Sequence, residues 1–250
     1  RPPNPTEYDK LTALRESVLK SGADFGVAFD GDGDRAVFCD ERAEIVTSER
    51  SLVLFIRHLL KERPGPVVYD QKSSSVVKKA ILKMGGEPVM ERSGHTFIKR
   101  RFLDLGAPLA GEVSGHFFFG ELGYDDGLYA ALLMATILKQ SGRTLSALLQ
   151  DVVCPPITPD VRLYCPYDSQ DEWLDRIRAL GAGAAISEMD GVRIDFPFGW
   201  LLARKSVTAE QITLRAEGRD ADSLKLILRM AADALPEAQH LLQSRMLPIE

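Results

Sequence analysis

The sequence feature that most constrains the fold is the stretch at residues 25–39, FGVAFDGDGDRAVFC, in which three aspartates stand between two apolar segments. Apolar, polar and apolar segments in that order predict a strand, a loop and a second strand. Asp30, Asp32 and Asp34 alternate with glycines, which let the backbone turn tightly enough for the carboxylates to converge. Because converging carboxylates repel one another, the loop is predicted to bind a cation.

The candidate ligands in this loop are all oxygen atoms, since neither histidine nor cysteine stands among the aspartates. Such a donor set favours Mg²⁺, Mn²⁺ or Ca²⁺ over zinc or copper. Arg35 follows the last aspartate directly. Its planar, permanently charged guanidinium is a usual partner for a phosphate that the metal also contacts. The loop is therefore predicted to hold a hard divalent cation beside a phosphate group.

Two other interpretations of this loop stay open. Glu41 stands at the twelfth position counted from Asp30, as the last ligand of an EF-hand would. However, Arg35 occupies the sixth position, where an EF-hand requires glycine, and the flanking segments resemble strands rather than helices. The second interpretation is an acidic surface turn, for which aspartate and glycine are the expected residues.

The composition argues against several classes of protein. The 250 residues carry a net charge of −5, so nothing in the charge favours binding to nucleic acid or to an anionic membrane. Cys39, Cys154 and Cys165 are odd in number and lack C-x-x-C spacing, which favours reduced thiols in a cytoplasm. No segment reaches transmembrane length and no signal peptide is recognised. The start at Arg1, without a methionine, suggests a fragment.

The middle of the chain has the pattern of a parallel sheet covered by helices. A strand at residues 67–70, a polar turn and a helix at residues 76–84 precede another strand at residues 88–90. Lys72 lies just after the first strand, at the end where open α/β sheets place ligands. His95 begins a predicted helix whose end attracts anions, and the cations that follow it suggest an acidic group nearby. Either residue could instead be an ordinary solvated side chain.

Residues 109–119 repeat the strand, loop and strand pattern of the aspartate-rich stretch. Glu112 takes the position at the end of the strand, and Ser114 and His116 follow where the first loop has carboxylates and arginine. This loop cannot form the same metal site. Its donors and acceptors suit a polyol, because one carboxylate can accept hydrogen bonds from two neighbouring sugar hydroxyls. The alternative is a tight hairpin in which the glutamate has no role.

The pattern of apolar and polar residues changes after the proline-rich segment at residues 154–159, which is predicted to be a linker. Alternating strands at residues 192–196 and 212–216 and a helix at residues 223–235 predict an antiparallel sheet with one face covered. The fold class is therefore mixed α/β sheet domains covered by helices, followed by a C-terminal α+β domain.

A third group of polar residues follows a strand in this C-terminal region. Arg204, Lys205, Ser206 and Thr208 provide two cations and two hydroxyls at the end of the strand. Such a set could bind a phosphate, and the same residue types are equally common on a solvated loop.

Several segments taken together resemble, in order and spacing, the conserved loops of the α-D-phosphohexomutases, the phosphomannomutase/phosphoglucomutase group. The segments are Asp30 to Arg35, Lys72, residues 94–99, residues 112–116 and residues 204–208. The resemblance implies that the three aspartates bind Mg²⁺ and that the Glu112 loop recognises two sugar hydroxyls. It also implies that Arg204, Ser206 and Thr208 bind the phosphate that is not transferred. Arg35, Lys72, His95 and His116 are then the expected catalytic contacts, with His116 assisting proton transfer.

The resemblance implies an enzyme that interconverts hexose 6-phosphate and hexose 1-phosphate, of mannose or glucose, through a phosphoserine and a bisphosphate. Two features of this sequence differ from the family's pattern. Val207 and Ala209 stand where the family has other residues in its phosphate loop, and the family's phosphoserine loop is absent. We therefore expect a partner N-terminal domain of the same protein, without which this chain is inactive. The alternative is a non-catalytic module that binds a sugar phosphate with Mg²⁺.

The resemblance also implies a division into three domains. Residues 1–45 are expected to be the C-terminal part of a second α/β domain that carries the metal loop. Residues 46–156 are expected to form a third α/β domain, which carries the Glu112 loop that recognises the sugar. Residues 157–250 are expected to form the α+β domain, which carries the Arg204 loop that binds the phosphate.

Overall fold

In the computed structural model, which describes residues 11–206 and 209–244, the aspartate-rich stretch forms a β-hairpin. Strand β1 (Phe25–Phe29) pairs antiparallel with β2 (Ala36–Asp40), and the short β3 (Ile45–Val46) pairs with the other edge of β2. The predicted order of strand, loop and strand is confirmed.

Contacts within the chain divide it into two compact units, Arg1–Cys154 and Pro155–Glu250. The hairpin belongs to the first unit. The division into three domains, with boundaries after residues 45 and 156, stays a prediction.

Both faces of the hairpin sheet are covered within the first unit. Helix α1 (Thr12–Ser21) packs on one face, where Val18 clusters with Cys39 and Ala43. Phe38 belongs to the opposite face and lies in the main apolar core of the unit. Alternate side chains of β2 thus enter two separate cores, as the two-residue period of a strand requires.

A five-stranded mixed sheet follows in the same unit. Its strands are β4 (Pro66–Asp70), β5 (Glu87–Glu91), β6 (Leu109–Gly111), β7 (Phe117–Phe119) and β8 (Tyr124–Asp125). The spatial order is β5-β4-β6-β7-β8, with β4 parallel to β5 and β6 and the remaining pairs antiparallel. The carboxyl ends of β4, β5, β6 and β8 therefore lie at one edge of the sheet, and the loops that follow them converge there.

Helices cover both faces of this sheet, which confirms the predicted fold class. They are α2 (Ser48–Glu62), α3 (Ser75–Lys83), α4 (His95–Asp104), α5 (Gly127–Ser141) and α6 (Leu145–Leu148). Tyr69 and Phe117 face the main core with α2, α3 and α5, whereas Val68 and Phe118 face the α4 residue Phe102 in a smaller cluster. Strands buried on both faces read as continuous apolar runs, which is the pattern of this part of the sequence.

Backbone contacts join the hairpin to the five-stranded sheet and to α5. Arg35 and His116 form an isolated antiparallel bridge, and the N–H of Ala36 donates to the carbonyl of Gly115 at 3.0 Å. The N–H of Gly127, the first residue of α5, donates to the carbonyl of Gly33 at 3.0 Å. The aspartate loop is thereby fixed beside the loop between β6 and β7.

Gly127→Ala is expected to destabilise the chain by about 2 kcal/mol, because backbone atoms occupy the space that a side chain needs. An added Cβ would lie 2.7 Å from the carbonyl oxygen of Gly33 and 2.9 Å from that of Arg35. Replacing glycine by alanine in a helix ordinarily stabilises it, so the sign of the effect is diagnostic. Urea unfolding measures it, with Gly65→Ala, which meets only the side chain of Pro108, as control. Equal or higher stability of Gly127→Ala would contradict this contact.

The second unit contains an antiparallel sheet in the order β10-β11-β12-β13-β9. Its strands are β9 (Val161–Tyr164), β10 (Ala185–Ser187), β11 (Val192–Phe196), β12 (Gly199–Lys205) and β13 (Gln211–Gly218). Its helices are α7 (Gln170–Ala179), α8 (Ala221–Ala234) and α9 (Gln239–Ser244), with single 3₁₀ turns at Tyr167–Ser169 and Pro236–Ala238. This is the predicted α+β arrangement.

One face of this sheet packs on α7 and α8, but the opposite face is less solvated than the alternating pattern predicts. Leu201 and Ala203 belong to the helix-covered core, whereas Trp200 and Leu202 on the other side of β12 are also buried. The guanidinium of Arg193 lies 4.1 Å from the centre of the Trp200 ring. The long side chain of an arginine can cover apolar surface in this way while its charge stacks on the aromatic ring.

Candidate functional site

The aspartate loop is organised around Asp30, the first residue after β1. Its Oδ1 accepts hydrogen bonds from the backbone N–H groups of Gly33 at 3.2 Å and Arg35 at 3.1 Å, and its Oδ2 accepts from Arg35 Nε at 2.5 Å. The Asp30 side chain is 1% exposed. Burial raises its pKa, but the hydrogen bonds and charge of Arg35 outweigh that effect and hold the pKa below its usual value. Asp30 therefore stays ionised and shapes the loop.

The three aspartates converge as predicted. One carboxylate oxygen from each of Asp30, Asp32 and Asp34 lies within 4.8 Å of the others. Asp34 Oδ1 is buried without a hydrogen-bond partner among the described residues. Burial and the charges of Asp30 and Asp32 raise the pKa of Asp34, although the charge of His116 opposes the shift. A buried carboxylate oxygen without a hydrogen bond, whose ion-pair contact is Arg35 Nε at 3.9 Å, fits a hard divalent cation within an all-oxygen donor set.

The EF-hand interpretation of this loop is wrong. Strands β1 and β2 flank the loop where an EF-hand has helices. The carboxylate of Glu41 accepts hydrogen bonds from the backbone N–H of Ser146 at 3.1 Å and from the Ser146 hydroxyl, beside α6. Its carboxylate is thus used elsewhere in the fold. The burial of the Asp30 side chain also argues against an acidic turn that is only solvated.

Glu112 follows β6 at the convergent edge of the sheet. The backbone from Glu112 to His116 forms a tight turn, in which the N–H of Gly115 donates to the carbonyl of Glu112 at 3.1 Å. Among the described residues, neither Glu112 Oε1 nor Ser114 Oγ has a hydrogen-bond partner, although both are buried. Burial and then the charge of Asp70 raise the pKa of Glu112 to about 7. Unpaired buried polar atoms are costly, so this loop is suited to receive hydroxyl groups.

Glu112→Gln is expected to stabilise the chain at pH 8 and to have little effect at pH 5. A carboxyl whose folded pKa is raised from 4.5 to about 7 contributes stability below the lower value, which is lost as pH rises through the upper one. The difference in melting temperature between variant and parent should grow by about 5 °C between pH 5 and pH 8. The exposed Glu121→Gln is the control. A difference that does not change with pH would contradict an ionisable, buried Glu112.

Two predicted histidines meet at a carboxylate that the sequence interpretation did not assign. Nε2 of His95 lies 3.0 and 2.9 Å from the two oxygens of Asp125, and Nδ1 of His116 lies 2.8 Å from Asp125 Oδ2. His116 Nδ1 is also 3.7 Å from Asp34 Oδ2, so the histidine pair adjoins the aspartate loop. Ligand atoms of these four residues lie within 4.8 Å of one another.

The charges in this cluster shift two pKa values in opposite directions. Burial lowers the pKa of His116, but the hydrogen bond to Asp125 and the charges of Glu112, Asp34 and Asp125 outweigh it and raise the pKa. Burial raises the pKa of Asp125, and the hydrogen bonds from His116 and His95 more than reverse this. Asp125 is therefore the anionic partner of both imidazoles.

Lys72 lies in the turn after β4, at the predicted end of the strand. The turn is held by Asp70, which is buried and whose Oδ1 accepts from the backbone N–H of Lys72 at 2.9 Å and from the Ser93 hydroxyl at 2.5 Å. Asp70 thus ties the loops after β4 and β5 together at the edge that also carries Glu112. The substrate role of Lys72 stays a prediction.

The first unit also matches known proteins. Residues 47–154 match the phosphoglucomutase/phosphomannomutase alpha/beta/alpha domain III, and residues 1–43 match domain II of the same family. The two matches together span more than half of the chain. The chain belongs to the phosphoglucomutase/phosphomannomutase family.

Individual members of the phosphoglucomutase/phosphomannomutase family are similar over nearly the whole chain. The phosphomannomutase/phosphoglucomutase of Pseudomonas syringae is 35% identical over 230 residues, which is 90% of this chain and 50% of that protein. The Pseudomonas aeruginosa protein of the same name is 36% identical over 231 residues, again 90% and 50%. A crystal structure of a family protein from Burkholderia thailandensis has a TM-score of 0.85 at 34% identity and covers 95% of this chain and 52% of that one. The chain thus spans about half the length of the relatives it matches.

The structure brings together most of the residues that the family resemblance implies. Within the first unit, the aspartate loop and the histidine pair are in contact, and Glu112, Ser114 and Lys72 lie on loops at one edge of the sheet. Asp70 and Asp125 are site residues to which the sequence pattern assigned no role. Asp125 belongs to an acidic turn whose composition suggests a surface loop, and the cationic start of α4 was the signal that pointed to an acidic partner.

The predicted phosphate clamp of the family lies in the second unit. Arg204 Nε lies 3.3 Å from Asp190 Oδ2, and Lys205 Nζ lies 2.6 Å from Asp171 Oδ1. Ser206 is the last described residue of this loop, and Val207 and Thr208 lie outside the described residues. The clamp stays a prediction. Among the helices of the described ranges, none combines the length and apolar character needed to cross a bilayer.

Proposed function

We propose that the protein containing this chain is a phosphohexomutase, which moves a phosphoryl group between the 1 and 6 positions of a mannose or glucose phosphate. The observation that best supports this proposal is that the aspartate loop and the Glu112 loop, which differ in chemistry, contact each other. An all-oxygen cation site and a loop with unpaired hydroxyl-binding atoms are joined by the Arg35 and His116 bridge. Family membership supports the same reaction class.

The cation in this proposal is Mg²⁺, held by Asp30, Asp32 and Asp34. When bound, it supplies positive charge that neutralises the oxygens of a phosphoryl group in transfer. Arg35 adds a second positive charge at the same place, because its Nε contact with Asp30 fixes the guanidinium beside the aspartates.

The sugar is bound by Glu112 and Ser114, whose Oε1 and Oγ atoms are buried without a hydrogen-bond partner in the part of the chain that the structure describes. Glu112 accepts hydrogen bonds from two neighbouring hydroxyls, and Ser114 provides a further donor and acceptor. Arg204, Ser206 and Thr208 bind the phosphate that is not being transferred, with Val207 contributing only its backbone N–H. A substrate held at both ends can be recognised in two opposed orientations, which a mutase needs.

The phosphoryl group comes from a serine outside this chain. The P–O bond to that serine breaks as a sugar hydroxyl forms a new P–O bond, and the hydroxyl proton passes through His116 to the serine oxygen that is released. Lys72 and His95 contact the substrate during this step. The bisphosphate then reorients, and its other phosphoryl group returns to the serine.

An assay of the full-length protein tests the proposal. With glucose 1-phosphate or mannose 1-phosphate, Mg²⁺ and a trace of the sugar bisphosphate, we expect the 6-phosphate to form. Absence of turnover with both sugars would overturn the proposal. Calorimetry with hexose phosphate then distinguishes the alternative, a module that binds the sugar phosphate without converting it.

A further inference from the structure

Asp125 is a buried carboxylate held in a rigid position. Its side chain is 5% exposed, and it ends β8, where it pairs with Phe118 of β7. The next residue, Asp126, caps α5 by accepting a hydrogen bond from the N–H of Tyr129 at 2.8 Å. A strand pair on one side and a capped helix on the other leave Asp125 little freedom to move.

Both histidine rings are oriented by this one carboxylate. An ionised carboxylate only accepts hydrogen bonds, so Nε2 of His95 and Nδ1 of His116 must each carry a hydrogen. The rings lie 4.9 Å apart between centroids, and the Phe118 ring lies 5.3 Å from that of His95. The two imidazoles are therefore held as opposite tautomers, and Nε2 of His116 is the nitrogen left to accept a proton.

We propose that Asp125 is the positioning residue for this histidine pair. It fixes the orientation and tautomer of His116 and His95 through the hydrogen bonds that its two oxygens accept, so that Nε2 of His116 is the nitrogen that takes the proton in the proposed reaction. The role of His116 in this statement rests on the proposed function. The proton leaves the sugar hydroxyl as that oxygen gains the phosphoryl group, and it ends on the serine oxygen whose P–O bond has broken, so no further reactant is consumed.

Metal binding by the same cluster is the competing interpretation. The nitrogen-to-oxygen distances of 2.8 to 3.0 Å around Asp125 are those of charge-assisted hydrogen bonds. Four ligands placed about 2.0 Å from a zinc ion in a tetrahedron would stand roughly 3.3 Å apart. The observed geometry therefore favours hydrogen bonding.

The kinetic test is Asp125→Asn in the full-length protein. We expect kcat to fall by about 10²–10⁴-fold with KM for hexose phosphate within about threefold of the parent, because the amide presents a donor where a histidine also donates. Asp126→Asn is the matched control, since asparagine also caps helices and the change in charge is the same. A value of kcat for Asp125→Asn within threefold of the parent would overturn the proposal.

A second measurement on this 250-residue chain does not depend on turnover. In a pH series carried to the point where the ¹⁵N shifts no longer change, ¹⁵N-labelled histidine shows which ring nitrogen carries the hydrogen. We expect Nδ1–H for His116 and Nε2–H for His95 in the parent, and a changed tautomer for at least one of them in Asp125→Asn. Unchanged tautomers in the variant would overturn the proposal even if its kcat is low. If the full-length parent lacks mutase activity, the proposed function fails, and the tautomers alone decide whether Asp125 positions the pair.

Discussion

Asp32→Asn in the full-length protein is expected to lower mutase turnover by about 100-fold or more at limiting Mg²⁺ without lowering the melting temperature of the metal-free protein. The physical reason is that the proposed function gives Asp32 a single role, as a ligand of the cation. Its side chain is exposed and makes no hydrogen bond or ion pair with the other residues that the structure describes. Asparagine has nearly the same shape and removes one negative charge from the three that converge.

The measurement is kcat as a function of Mg²⁺ concentration, with melting curves for parent and variant. Asp24→Asn is the control, because Asp24 is an exposed aspartate just before the same hairpin and lies outside the cluster. Higher Mg²⁺ should partly restore the activity of Asp32→Asn. Turnover by Asp32→Asn that equals the parent at every Mg²⁺ concentration would contradict the assignment of the aspartates as ligands.

The second large effect is expected for His116→Asn, with a fall in kcat of about 10²–10⁴-fold. The amide of asparagine can take the place of Nδ1 and keep the hydrogen bond to Asp125, which in the parent is 2.8 Å long. The nitrogen that is proposed to accept the proton, Nε2, is lost. We therefore expect the melting temperature to stay close to that of the parent while the chemical step slows.

Single-turnover transfer from the phosphorylated full-length protein to hexose phosphate measures this step directly. His240→Asn, a change at an exposed histidine of the second unit, is the control. If His116→Asn transfers the phosphoryl group within threefold of the parental rate, His116 does not accept the proton.

Local sequence pattern was sufficient to predict the loops because each loop is defined by its immediate neighbours. The apolar runs around Asp30 and around Glu112 both form antiparallel hairpins, and Lys72 lies at the end of its strand. Strand periodicity and turn residues act within a few positions along the chain, so these features are visible without any knowledge of tertiary contacts.

Local sequence pattern did not identify which residues distant in the sequence contact these loops. Glu41 has the spacing of an EF-hand ligand, yet its carboxylate binds Ser146, which is distant in the sequence. Asp125 stands in an acidic turn that resembles a surface loop, yet it is buried between two histidines. Spacing specifies which side chains share a local element, whereas burial depends on which elements pack together.

The sequence by itself determined the chemistry of each loop, since the residue types fix whether a loop offers hard oxygen ligands, hydroxyl acceptors or cations. Only the tertiary structure decided that the aspartate loop and the Glu112 loop meet. Their contact depends on the bridge between Arg35 and His116 and on the order of strands that brings β8 to the same edge as β6. Such long-range pairing is set by the burial of the whole apolar core, and no short segment of sequence contains that information.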